Sequence, residues 1–206
     1  MESTGPDWEQ YYRSGETPWD LRGVTPPLQA LAEAGGLAAR GLTPGSAVAV
    51  PGCGRGHDLR YLAQLGYRVT GFDLVPAAVE EARRLLALNR AEGEVLCRDF
   101  LGLGEELAGR FDWAYEYTFF CALPPHLRGE FARVTAALLR PGGYLLALTF
   151  PLTAAAAAPS GPPYLVREED LQVTLARHFT LAASFEAERS APRRAGAERW
   201  YLWQRR

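Results

Sequence analysis

The sequence predicts an α/β protein built on a mostly parallel, doubly wound sheet with helices on both faces. Three observations carry that expectation. Short, near-continuous apolar runs recur along the chain, as buried parallel strands require. Segments with a helical apolar period lie between them. A glycine-rich turn follows the first run, where a strand would hand over to a helix.

Residues 1–45 place aromatic side chains first and then a helix from about Pro27 to Gly35. Ser46–Val50 is the first strand, and a helix from about Arg55 to Leu65 follows its glycine turn. Tyr67–Phe72 is the second strand. The next helix opens at Pro76, whose fixed φ suits a first helical position, and sets Glu80 and Glu81 against Arg83 and Arg84 on its exposed side. Glu94–Cys97 and Phe111–Glu116 are the third and fourth strands. Leu127, Phe131, Val134 and Leu138 then share a helical face, with Pro141-Gly142-Gly143 read as the helix end before the strand Tyr144–Phe150. Residues 151–165, rich in Ala and Pro, read as a loop. A helix near Arg167–Ala176 leads to Phe179–Glu186 and Arg199–Gln204, an antiparallel pair joined by the polar turn Arg189–Ala197. Trp200 and Trp203, in the last strand, read as packing residues. The expected organisation is one domain over 1–206, with the segment 1–45 set apart from a sheet core at 46–206.

Composition narrows the function. A chain of 206 residues can bury a full single core, and 48% hydrophobic with 22% charged residues excludes wholesale disorder. Twenty-two basic against 24 acidic residues give a net charge of −2, which argues against a general nucleic-acid binder. No apolar run reaches the ~20 residues of a membrane span, and the N-terminus has no secretory signal. The expectation is a cytoplasmic protein with a small-molecule partner, as a monomer or a homodimer. Cys53, Cys97 and Cys121 are far apart, as are His57, His126 and His178, so neither a zinc site nor a disulfide framework is readable. From Glu186 to Arg206 the chain carries 6 Arg against 3 acids. The surplus reads as a solvated edge, with a small anion-attracting field as the alternative.

The most informative segment is Val48-Ala49-Val50-Pro51-Gly52-Cys53-Gly54-Arg55-Gly56-His57-Asp58. Glycines there permit positive φ and let a ligand approach the backbone. In open parallel sheets, ligands bind beyond the carboxyl ends of strands near the switch point. The dinucleotide fingerprint would need Gly where His57 stands, and a chain without Lys cannot hold a Walker phosphate loop. Asp73, at the end of the second strand, is placed to accept hydrogen bonds from both ribose hydroxyls of an adenosine, with Leu74 beside it. Asp99 and Phe100, after the third strand, are an acid and an aromatic ring that could read an adenine edge and cover its face. His57 and Asp58 read as capping and loop-fixing residues.

These residues together resemble the class I S-adenosylmethionine-dependent methyltransferases, and within them the thiopurine S-methyltransferase family, in its thiol/halide methyltransferase branch. Trp8, Tyr12 and Gly15-Glu16-Thr17-Pro18-Trp19-Asp20 look like that family's N-terminal segment over the cofactor. Pro51-Gly52-Cys53-Gly54 with His57-Asp58 is similar to its cofactor loop. Glu116-Tyr117-Thr118-Phe119-Phe120-Cys121-Ala122 resembles its fourth-strand motif, and Gly161-Pro162-Pro163-Tyr164 a loop near its acceptor pocket. Tyr12 stands where the family often has Trp, Glu116 where it often has Asp, and Tyr117 where thiopurine enzymes tend to carry Arg.

The resemblance implies a Rossmann-like, seven-stranded sheet with the last strand antiparallel and residues 1–45 as a helical lid. It implies S-adenosyl-L-methionine as cofactor, S-adenosyl-L-homocysteine as product, and no metal. Cofactor contacts are expected from Trp8, Tyr12, Trp19, Gly52, Gly54, Asp73, Leu74, Asp99, Phe100, Glu116 and Tyr117. Trp19, Tyr117, Phe120 and Tyr164 are expected at the acceptor, with Trp19 as a lid and the hydroxyls of Tyr117 and Tyr164 orienting the nucleophile. Phe119 is assigned to the core. The implied reaction is methyl transfer to a small soft nucleophile such as a thiol, bisulfide, thiocyanate or halide. Alternatives are an oxygen, nitrogen or metalloid acceptor, or a non-catalytic sensor of the nucleoside cofactor.

Overall fold

The computed structural model describes residues 6–154, 157–158, 160 and beyond to 206. The first five positions of the expected lid, and Ala155, Ala156 and Pro159 of the expected Ala- and Pro-rich loop, lie outside the described residues. In chain order the elements are α1 (Trp8–Ser14), α2 (Pro26–Glu33), β1 (Ala47–Pro51), α3 (His57–Gln64), β2 (Arg68–Asp73), α4 (Pro76–Leu88) and β3 (Gly93–Cys97). Then come β4 (Phe111–Tyr117), α5 (Arg128–Leu138), β5 (Leu139–Thr149), α6 (Glu168–Leu175), β6 (Phe179–Glu186) and β7 (Arg199–Arg205).

Among the described residues, seven strands form one sheet in the order β3-β2-β1-β4-β5-β7-β6. The pairs from β3 to β5 are parallel, and β7 runs antiparallel to both β5 and β6. The strand order reverses at β1, beside β4, so the turn after β1 sits at the topological switch point. All five residues of β1 are buried, as befits a central parallel strand covered on both faces.

Two apolar layers sandwich the sheet. Alternate residues of each strand feed opposite layers: Val48, Val50, Leu146, Leu148, Trp200 and Leu202 face Leu28 of α2, Leu59 and Leu62 of α3, and Val79 and Leu86 of α4. Ala47, Ala49, Leu145, Tyr201 and Trp203 face Phe131 and Val134 of α5 and Leu171 of α6. Each large side chain so buried stabilises the fold by roughly 1.5–3 kcal/mol. Trp200 and Trp203 are 1% and 2% exposed, on opposite faces, as packing residues should be.

Most boundaries shift by one or two residues, and two of the differences have a structural consequence. The helix after the glycine turn starts at His57 rather than Arg55, because Gly56 is left-handed at φ +77 and ends the loop there. Arg55 therefore belongs to the loop and its side chain is free to reach across it. The helix expected to run to Pro141 ends at Leu138, and Pro141-Gly142-Gly143 lies inside the start of β5. The β4–β5 pairing jumps there from Phe111–Leu139 to Trp113–Tyr144, so the Pro-Gly-Gly stretch is an irregularity of the strand. Among the described residues no helix is long and apolar enough to cross a membrane.

Candidate active site

The turn after β1 is shaped by three left-handed glycines, Gly52 at φ +55, Gly54 at φ +53 and the closing Gly56. A Cβ at Gly52 would collide with the Phe119 ring, and one at Gly54 would stand 3.1 Å from the Tyr12 hydroxyl. Gly52 therefore needs glycine for space as well as for φ, and Gly54 for φ. Asp73 ends β2 next to this turn. Its Oδ2 accepts from the Gly54 amide at 2.8 Å and its Oδ1 from the Val75 amide at 3.0 Å. Burial raises its pKa against the pull of those amides. Leu74, beside it, is 48% exposed.

At the end of β3, Asp99 is exposed and accepts from the Leu101 amide at 3.0 Å, capping a short 3-10 turn. Phe100 does not fit the expectation of an adenine cover. It is 2% exposed and packs edge-on against Phe72 and Phe119, because the turn that Asp99 caps rolls its ring into the core.

The N-terminal segment forms an aromatic cap. Trp19 is the hub: its ring lies 5.3 Å from Trp8, 5.3 Å from Tyr11 and 6.0 Å from Tyr12. Trp8, Tyr11 and Tyr12 project from one side of α1, which rests on α4. Arg55 ties this cap to the loop. Its guanidinium donates to Thr17 Oγ1 at 2.6 Å, to Asp20 Oδ2 at 2.7 Å and to Glu81 of α4, and it lies 5.2 Å over the Tyr12 ring. Burial, and then the Asp73 carboxylate, push the Tyr12 phenol pKa up. Behind the loop, the Asp58 carboxylate accepts from the Thr25 amide (2.7 Å), the Thr25 hydroxyl (2.6 Å) and the Tyr115 hydroxyl (2.9 Å), pinning the start of α2 to α3.

At the end of β4, Glu116 is 3% exposed and accepts from the Phe119 and Phe120 amides at 3.1 and 2.9 Å. Burial pushes its carboxyl pKa up to about 7. Tyr117 donates its hydroxyl hydrogen to Glu198, while Arg194 donates to the same oxygen and, at 2.6 Å, to the Trp19 carbonyl. Cap, β4 terminus and β6–β7 connection thus meet at one guanidinium.

One acceptor expectation needs correcting. Phe120 is 3% exposed and packs on Phe131, whereas Phe119 is half-buried and covers Gly52. Thr118 sits at φ +64, so strand alternation stops at Tyr117; Phe119 packs against the core layer as expected while also covering Gly52, and Phe120 joins that layer. Tyr164 is held to the segment after β4 through its backbone. Its amide donates to the Cys121 carbonyl at 2.8 Å, and its ring lies over Gly161 and lines a depression of about 840 Å³ with Arg128 and Val173. Among the described residues no hydrogen bond or aromatic pair joins it to Trp19 or Tyr117. A depression of about 860 Å³ lies between Arg68 and Glu92 at the amino ends of the strands, the wrong edge for a nucleotide of this fold.

Sequence reading missed Tyr11, Arg55, Arg194 and Glu198. Tyr11 had a signal, since Trp8, Tyr11 and Tyr12 follow helical i, i+3, i+4 spacing. Arg194 and Glu198 had none beyond the arginine surplus of their segment.

The family model described as thiopurine S-methyltransferase matches residues 3–206. A protein of Arabidopsis thaliana named probable thiol methyltransferase 2 is 33% identical over 207 residues, covering 99% of this chain and 87% of its own. Thiocyanate methyltransferase 1 of the same plant is 31% identical over 202 residues, covering 96% of this chain and 84% of its own. Among solved structures, Burkholderia thailandensis 1,6-didemethyltoxoflavin-N1-methyltransferase, with bound 1,6-didemethyltoxoflavin and S-adenosylhomocysteine, superposes with a TM-score of 0.73 at 25% identity, covering 97% of this chain and 85% of its own.

Proposed function

The chain belongs to the thiopurine S-methyltransferase family, and on that premise we propose that it is an S-adenosylmethionine-dependent methyltransferase whose acceptor is a small soft nucleophile: a thiol, bisulfide, thiocyanate or halide. When bound, the cofactor supplies an electrophilic methyl group on a sulfonium. The residues at the switch point fit such a group. Asp73 holds the glycine loop at 2.8 Å through Gly54 and has lone pairs to spare for ribose hydroxyls. Asp99 keeps one carboxylate oxygen without a partner among the described residues. Trp8, Tyr12 and Trp19 offer ring faces to a sulfonium, worth roughly 0.5–2 kcal/mol.

An acceptor that arrives as an anion needs no general base. What the chain must supply is position, since holding the nucleophile in line at about 3 Å is itself a large part of the rate. The observation that carries this reading is that the Arg194 guanidinium joins the Trp19 carbonyl of the aromatic cap to the Tyr117 hydroxyl at the end of β4, bringing a cation and a hydroxyl to the cap.

A nitrogen acceptor is the second reading, favoured by the fold shared with the toxoflavin-precursor enzyme. Gas chromatography of the headspace over enzyme, S-adenosylmethionine and either iodide, thiocyanate, bisulfide or a small thiol separates the two. Volatile methylated products are expected. Methylation confined to oxygen or nitrogen nucleophiles contradicts the proposal.

A further inference from the structure

Arg194 is 6% exposed, yet among the described residues no carboxylate pairs with it. Its two hydrogen-bond partners are neutral: the Trp19 carbonyl and the Tyr117 hydroxyl. The guanidinium also lies 5.0 Å over the Tyr117 ring and 5.1 Å over Phe150, the residue just past β5. Its remaining N–H donors, the Nε–H among them, have no acceptor among the described residues. Glu198 stands on the far side of Tyr117, 6% exposed, with Oε1 taking the phenol hydrogen and Oε2 buried without a partner among the described residues.

Arg194 reaches the buried Glu198 carboxylate only through the Tyr117 hydroxyl, so its charge lacks a direct partner among the described residues, which an anionic ligand supplies. Arg128, the other buried guanidinium, differs in place and surroundings. It donates to the Tyr164 and Leu165 carbonyls, away from the cap, and feels the Glu116 carboxylate. Arg194 is the cation that touches the cap and the end of β4 together.

We propose that Arg194 is the specificity-determining residue that recognises the methyl acceptor as an anion, and that Glu198, acting through Tyr117, limits the strength of that recognition. The proposal rests on the acceptor site lying beside Tyr117 and Trp19. Because Arg194 also holds the Trp19 carbonyl, the anion and the cap share one positioning group, and acceptor binding favours the closed cap. Glu198 is then a positioning residue whose charge opposes the anion.

Thiocyanate binding to the complex with S-adenosylhomocysteine, read by calorimetry, tests this. Arg194→Met weakens thiocyanate binding by about tenfold or more, the effect of a lost hydrogen bond to a charged group. Its affinity for S-adenosylhomocysteine stays within about threefold of wild type, and Arg194→Lys recovers part of the loss. Glu198→Gln keeps an acceptor for the phenol and tightens thiocyanate binding severalfold. In turnover, R194M raises KM for thiocyanate more than it lowers kcat. Equal thiocyanate affinity in wild type and R194M overturns the assignment, and so does a wild-type complex that binds no thiocyanate. A matching loss of S-adenosylhomocysteine affinity in R194M marks the residue as structural and overturns it too. Should R194M fail to fold, E198Q decides, since weaker thiocyanate binding in that variant overturns the proposal. Arg194-dependent thiocyanate binding without any methylated product leaves Arg194 as an anion-recognition residue and removes the methyl-acceptor reading alone.

Discussion

The Asp73 carboxylate accepts a hydrogen bond from the Gly54 amide at 2.8 Å, so the acid that ends β2 holds the shape of the loop that ends β1. Loop and acid are one unit. Gly54→Ala places a side chain at φ +53, a conformation costing an L-residue roughly 1–2 kcal/mol, with its Cβ 3.1 Å from the Tyr12 hydroxyl. We expect S-adenosylhomocysteine affinity to fall about tenfold in calorimetry, because the amide that Asp73 grips is displaced. An unchanged affinity contradicts the coupling.

Gly52 and Gly15 separate conformational strain from crowding. Both are left-handed, at φ +55 and +74, but a Cβ at Gly15 meets nothing within 4 Å whereas one at Gly52 strikes Phe119. Gly15→Ala is expected to cost about 1 kcal/mol in urea unfolding, and Gly52→Ala a further ~1–3 kcal/mol for overpacking. Equal losses would mean that Phe119 yields.

Trp19 gathers Trp8, Tyr11 and Tyr12 and lends its carbonyl to Arg194. Trp19→Ala should lower kcat by about tenfold or more while weakening cofactor binding by less, since Asp73 and the glycine loop remain. A single-turnover rate equal to wild type would refute its role as a cover.

Glu116 predicts a pH dependence of stability. Burial raises its pKa from 4.5 to about 7, so between those values the native chain keeps a proton that the unfolded chain has released. Stability is therefore lost as pH rises through that window, by roughly 3 kcal/mol at most. Glu116→Gln retains an oxygen for the Phe119 and Phe120 amides and removes the titration. Unfolding at pH 4.5 and at pH 8 should show E116Q gaining on wild type at the higher pH; a constant difference contradicts the assignment.

Much of the fold was legible because parallel strands covered on both faces must be apolar throughout, as Ala47–Pro51 is. The antiparallel C-terminal pair was legible from its turn. The glycine loop and Asp73 were legible because the chemistry of a switch point constrains residue types locally. Phe120 falls in the core rather than at the acceptor because one left-handed residue, Thr118, ends the alternation, and nothing in the sequence announces its φ of +64. Arg194 and Tyr117 are 77 positions apart and meet only because β7 inserts between β5 and β6. No period or spacing encodes that contact.

The most direct test of the account is a calorimetric titration of wild type and Asp73→Ala with S-adenosylhomocysteine and with NAD. The account predicts stoichiometric binding of S-adenosylhomocysteine to wild type, its loss in D73A with the fold retained by circular dichroism, and no binding of NAD. Undiminished S-adenosylhomocysteine binding in a folded D73A protein would contradict it.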